Sequence, residues 1–135
     1  MTDAEFLEAF ETCCLRADQW THQAHVRMAW LYLQRMPLPV AIPVVREGIK
    51  RYNVSLNKPL GYHETVTLAF LHLISDRIQN GNGPRSFEIF CSQHPDLLDR
   101  EMKTLLAHYQ KETLFSQLAR ESFVCPDLLP LPSIR

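Results

Sequence analysis

Three histidines and one glutamate stand out by type and spacing. His22 and His25 lie in Trp20-Thr21-His22-Gln23-Ala24-His25, and His63 and Glu64 in Gly61-Tyr62-His63-Glu64-Thr65. Residues three apart on a helix share a face, with β-carbons about 5–6 Å apart. His22 and His25 can therefore grip one divalent ion, as other short helical histidine pairs do. A site needs a ligand from a second element, and His63 is the candidate. Glu64 points about 100° away from it on a helix, which suits a partner of a ligand or a general base beside a metal better than a fourth ligand. The expectation is that His22, His25 and His63 converge in one cavity on zinc or iron, with Glu64 at its edge handling a proton. Tyr62, Thr65 and Thr67 can add hydrogen bonds there.

Each residue also has a plainer reading. Glu64 in a first helical turn is favoured by the helix dipole whatever the function. His63 can satisfy buried backbone groups, and two histidines at a helix start can lie at the surface or cap a loop. Both polar clusters sit where an apolar face begins, which solvation alone does not explain. The remaining histidines are weaker candidates: His72 reads as a hydrogen-bonded core residue, His94 as loop before Pro95, and His108 as solvated.

The elements that must position these residues all read as helices. Thr2 or Asp3 can cap a first helix with Phe6, Leu7, Phe10 and Cys14 on one stripe. A second runs from about Thr21 to Met36 and stops at Pro37 and Pro39. A third covers about Val40 to Tyr52, with Pro43 awkward outside the first turn and Asn53 as a stop. A fourth, from about Tyr62 to Gln79, is apolar nearly all round and belongs in a core. Asn80-Gly81-Asn82-Gly83-Pro84 is the strongest break. Ser86 then caps a short helix through Cys91, another covers Leu97 to Tyr109, and Thr113 opens a last one through Phe123. The segment from Cys125 to Pro132 is too proline-rich for a helix and reads as an extended tail. No stretch alternates with period two for long. The expected architecture is all-α: one domain over 1–135, a bundle of about five to seven helices with an extended Pro-rich C-terminal tail.

Composition narrows the function classes. The chain has 135 residues and a net charge of -1, from 14 basic and 15 acidic side chains. No basic stripe suggests nucleic acid and no acidic block suggests a tail. The apolar run Val66 to Ile74 is too short for a bilayer, so no membrane partner is expected. The acidic start lacks the charge and apolar run of a signal peptide, so a cytoplasmic location is expected. Cys13, Cys14, Cys91 and Cys125 contain no Cys-x-x-Cys spacing and are then expected as reduced thiols.

The pair Trp20-Thr21-His22-x-x-His25 and Tyr62-His63-Glu64-Thr65 resembles a set of short bacterial helical proteins. The resemblance covers most of the chain, including Pro126 to Pro132, and carries no established activity with it. The chain departs from better-known helical metal families. An HD-type hydrolase wants His followed by Asp, where His63 is followed by Glu64. A ferritin-like diiron site wants Glu-x-x-His on two helices. The DinB-like bundles use three histidines at another spacing, an analogy of architecture only. The expected function is a small divalent-metal-dependent enzyme acting on a small molecule, with hydrolysis, lyase and oxygen chemistry open. The alternative is a non-catalytic module binding a small polar or anionic ligand. Oligomeric state is not legible at this level.

Overall fold

The computed structural model describes residues 1–81 and 86–132. It is all-helical, with 66% helix and no strand among the described residues. The chain divides into two compact units, Met1–Tyr62 and the residues from His63 onward.

The first unit holds three helices that pack pairwise: α1 (Asp3–Glu11), α2 (His22–Arg35) and α3 (Leu38–Ser55). Thr2 starts α1 through a capping box: its hydroxyl accepts from Glu5 N–H at 3.1 Å, and the Glu5 carboxylate accepts from Thr2 N–H at 2.9 Å. Thr21 starts α2, its hydroxyl accepting from Ala24 N–H at 3.2 Å. A 3-10 turn over Ala17–Gln19 leads into it. Where Asn53 was expected to stop α3, the helix runs on to Ser55, and Asn53 is buried inside it. Pro43 lies in the body of α3 rather than its first turn. Pro39, whose carbonyl loses its partner there, is exposed with Pro43, on the side where helix carbonyls tilt outward.

The core of this unit is aromatic. Phe10 and Tyr52 are fully buried, and Trp20 stacks on Phe10 with ring centroids 4.9 Å apart. Tyr52 meets the Trp20 ring edge-on at 5.1 Å, and its hydroxyl donates to Leu15 O at 2.7 Å. Gly48 permits this packing: a Cβ there would stand 2.9 Å from Phe10 Cε2.

The second unit is built on α4 (Glu64–Gln79), which packs against α6 (Lys103–Leu106) and α8 (Gln117–Glu121). Leu68, Ala69, Leu71, Leu73 and Ile74 of α4 are buried. Its apolar face is not closed all round, because Val66 and Phe70 are half-buried. α5 (Phe87–Gln93) begins at Ser86, whose hydroxyl accepts from Ile89 N–H, as its sequence predicts. Of the predicted break at Asn80–Pro84, residues 82–84 lie outside the described residues, and α4 ends with Asn80 as its C-cap.

The helix expected over Leu97–Tyr109 is two pieces, a 3-10 turn Pro95–Leu98 and α6, with Met102 left-handed between them at φ 57°. Local side chains take over the backbone partners of a continuous helix. The Asp99 carboxylate accepts from Glu101 N–H at 3.1 Å, and the Thr104 hydroxyl donates to Asp96 O at 3.1 Å. Arg77 of α4 fixes Asp96 with two hydrogen bonds of 3.0 and 2.8 Å. The helix expected from Thr113 through Phe123 is likewise split into α7 (Lys111–Leu114) and α8. Ser116 restarts it by accepting from Ala119 N–H, while the Thr113 hydroxyl is spent on Asp127 at 2.6 Å.

Residues 123–132 carry no helix. Leu128 N–H donates to His108 O at 2.9 Å, and His108 Nδ1 donates to Leu129 O at 3.0 Å. His108, expected as a solvated residue, is therefore a fastening for this segment.

Candidate functional site

His25 is held by two neighbours. Its ring lies on the Trp20 indole, with centroids 3.8 Å apart at 30°, and Trp20 rests in turn on Phe10 and Tyr52. The other is Thr21, whose carbonyl accepts from His25 N–H at 3.0 Å and from His25 Nδ1 at 2.7 Å. A carbonyl can only accept, so Nδ1 carries the proton and Nε2 carries the lone pair of the neutral ring. Burial pushes the pKa of His25 below the ordinary histidine value, the Thr21 bond opposes this, and nearby His22 lowers it further. The result is a neutral, oriented imidazole at pH 7. A ring nitrogen held on a backbone carbonyl is the usual way a protein aims the other one at a metal or a proton. His22, the first residue of α2, is half-buried beside it.

His63 is the N-cap of α4. Its Nδ1 accepts from Val66 N–H at 3.1 Å, and its Nε2 donates to Leu114 O at 2.8 Å. The tautomer is the reverse of His25's, and both nitrogens are engaged. As it stands, His63 presents no lone pair to a metal, and a ligand role would require it to release the first turn of α4. Burial lowers its pKa, Leu114 opposes that, and Arg120 lowers it further. Phe115 meets the ring edge-on at 6.4 Å. Glu64, the first residue of α4, is half-buried and aligned with the favourable end of the helix dipole.

Of the predicted set, His22 and His25 belong to the first unit, and His63 and Glu64 to the second. Among the described residues, no group of three or more His, Cys, Asp or Glu side chains is arranged to hold a metal ion. Thr65 and Thr67 bond to backbone. Thr67 donates to His63 O at 2.8 Å. Thr65, fully buried, donates to Ser122 O at 3.0 Å and accepts from Val124 N–H at 3.1 Å. His72 donates from Nδ1 to Pro132 O at 3.3 Å, and His94 accepts from Arg77 at 3.2 Å.

Sequence reasoning missed two roles. Trp20 is the platform under His25, and an aromatic residue immediately before an N-cap threonine was the available signal. Asp127 is a clamp, accepting from Gln110 N–H at 2.9 Å and from the Thr113 hydroxyl, and these bonds lower its pKa. Its position in a proline-rich stretch gave no sign of that.

No known protein family, curated protein or solved structure matches this chain.

Proposed function

We propose that the chain is a small divalent-metal-dependent enzyme acting on a small molecule, with the metal held by the His22–His25 pair. One observation carries this reading: the Nδ1 proton of His25 is fixed on Thr21 O, which makes Nε2 a lone-pair donor at neutral pH. Spacing of three on α2 lets His22 share the ion. Two protein ligands leave positions for water and substrate on zinc or ferrous iron. His63 as a further ligand and Glu64 as the proton-handling carboxylate remain part of the proposal. Four unbridged thiols suit a reducing, cytoplasmic setting, and the run Pro126–Pro132 suits an extended tail.

The test is calorimetric titration of the purified chain with zinc and with cobalt. His25→Ala should abolish binding, and His22→Ala should weaken it by at least about tenfold. Glu64→Gln should leave it intact. Loss of binding in His63→Ala would make His63 a third ligand, while unchanged binding would confine it to its cap. Equal affinity of the wild type and His25→Ala would sink the metal reading.

The engagement of both His63 nitrogens favours a second reading, a metal-free module in which His25 Nε2 accepts a hydrogen bond from a small polar ligand. In that case zinc would not bind at neutral pH, yet a ligand panel would give thermal shifts that vanish in His25→Ala.

A further inference from the structure

We infer that the outer face of α3 is a self-association surface, on which a second copy of this chain docks antiparallel. Along α3 the side chains at Val40, Val44, Glu47, Arg51 and Val54 are exposed, in steps of four, three, four and three. That is the heptad spacing of a helix seam made to face another helix. Apolar residues occupy three of these positions, with Val40 50%, Val44 36% and Val54 59% exposed. A β-branched valine on an exposed helical face adds no helix propensity and no solubility, so packing is the physical reason for it to be there.

The charges select the occupant. When two copies lie antiparallel with the two-fold axis passing residue 49, Val44 of one meets Val54 of the other, and Glu47 meets Arg51 of the other. Symmetry repeats both pairs on the far side of the axis, which is what an isologous interface requires. A parallel pairing would set Glu47 against Glu47 and Arg51 against Arg51, and like charges directly opposed disfavour it. One surface therefore carries both halves of its own complement. A single helix from each copy makes an interface at the small end of the range, so the association is reversible and weak. Its central ion pairs make it salt-sensitive.

The test uses the full chain in sedimentation over about 10 µM to about 1 mM, a range suited to a small interface. At low salt the weight-average mass of the wild type should climb toward twice the monomer value, and added salt should reverse the rise. Glu47→Arg alone and Arg51→Glu alone should each stay monomeric, because each sets like charges against each other. An equimolar mixture of the two should associate at least as strongly as the wild type, and so should the double variant carrying both changes. Both positions are exposed, and unchanged far-UV circular dichroism would confirm that the variants fold. A wild type that stays monomeric at low salt overturns the inference. So does a Glu47→Arg chain that dimerises like the wild type, or a mixture that does not associate.

Discussion

The carbonyl of Thr21 receives two hydrogen bonds from His25, one from the backbone N–H at 3.0 Å and one from the ring at 2.7 Å. A residue that caps a helix with its hydroxyl thus also sets, with its carbonyl, the protonation pattern of an imidazole one turn away. The same five positions, Thr21 to His25, begin the helix and fix its chemistry.

Trp20 makes the state of His25 visible. The rings are 3.8 Å apart, and a protonated imidazole at that distance quenches indole emission. Trp30 is buried and supplies a steady background. Emission should be constant from pH 8 to about 6.5, the unperturbed histidine value, and fall only below it, because burial lowers the pKa of His25. His25→Gln should remove the step. A step centred above the unperturbed value would contradict the buried, neutral ring.

His63 makes stability depend on pH in a known direction. Its pKa is lowered in the folded chain, so below about pH 6.5 the unfolded chain takes up the proton first. Stability contributed by the neutral ring is present above that pH and is lost as the pH falls toward the folded value. The lowered carboxyl of Asp96 acts only nearer the carboxylate range and does not overlap. His63→Asn keeps an N-cap acceptor but cannot titrate. Urea unfolding at pH 7 and pH 5 should show a smaller difference for the variant than for the wild type, and equal differences would remove His63 from the account.

Gly48 is held by sterics rather than by its backbone freedom. A methyl there would stand 2.9 Å from a buried ring edge of Phe10. Gly48→Ala gains about 1 kcal/mol of helix propensity and meets an overpacking cost of about 1–3 kcal/mol, so a net loss is expected. Phe10→Leu should make the second change cheaper in a double-mutant cycle. Additive effects would show that the two positions are independent.

Thr65→Val should cost about 2–4 kcal/mol. The change leaves Ser122 O and Val124 N–H without the Thr65 hydroxyl in a partly buried place. Amide exchange at Val124 should accelerate at the same time. Unchanged exchange there would mean that Val124 is held without Thr65, through Tyr109, whose hydroxyl donates to Val124 O at 2.7 Å, and the fastenings at Asp127 and His108.

The helix starts were the most legible part of the chain. Thr2, Thr21 and Ser86 cap what their types predict, because a cap is decided by residues three apart. Apolar periodicity found α2 and α4 to within a few residues and failed after Leu97. There Asp96, Asp99 and Thr104 capture backbone groups, and pattern counting does not see side chains that compete with the helical ladder. Phe70 shows a second limit. Its all-apolar neighbourhood suggested a core position, yet it is half-buried, so Phe70→Ala should fall below the 3–5 kcal/mol of a fully buried phenylalanine. At the candidate site, histidine spacing identified where a ligand pair can form. It could not show that His63 uses both nitrogens on backbone, because Leu114 lies 51 positions away.

The hydroxyl of Thr65 finds its partners 57 and 59 positions later, and this fixes an order of events during synthesis. α4 leaves the ribosome before Ser122 and Val124 emerge from it. Until those residues emerge, the buried face of α4 has no α8 to cover it, and the Asp127 clamp on α7 does not exist. The first unit, whose helices close on one another by Tyr62, can complete its core while translation continues. The second cannot, and its apolar α4 is exposed to chaperones and to other nascent chains for that interval. A stall that holds Ser122 within the ribosome once α4 has left it would therefore harm the later unit and spare the first.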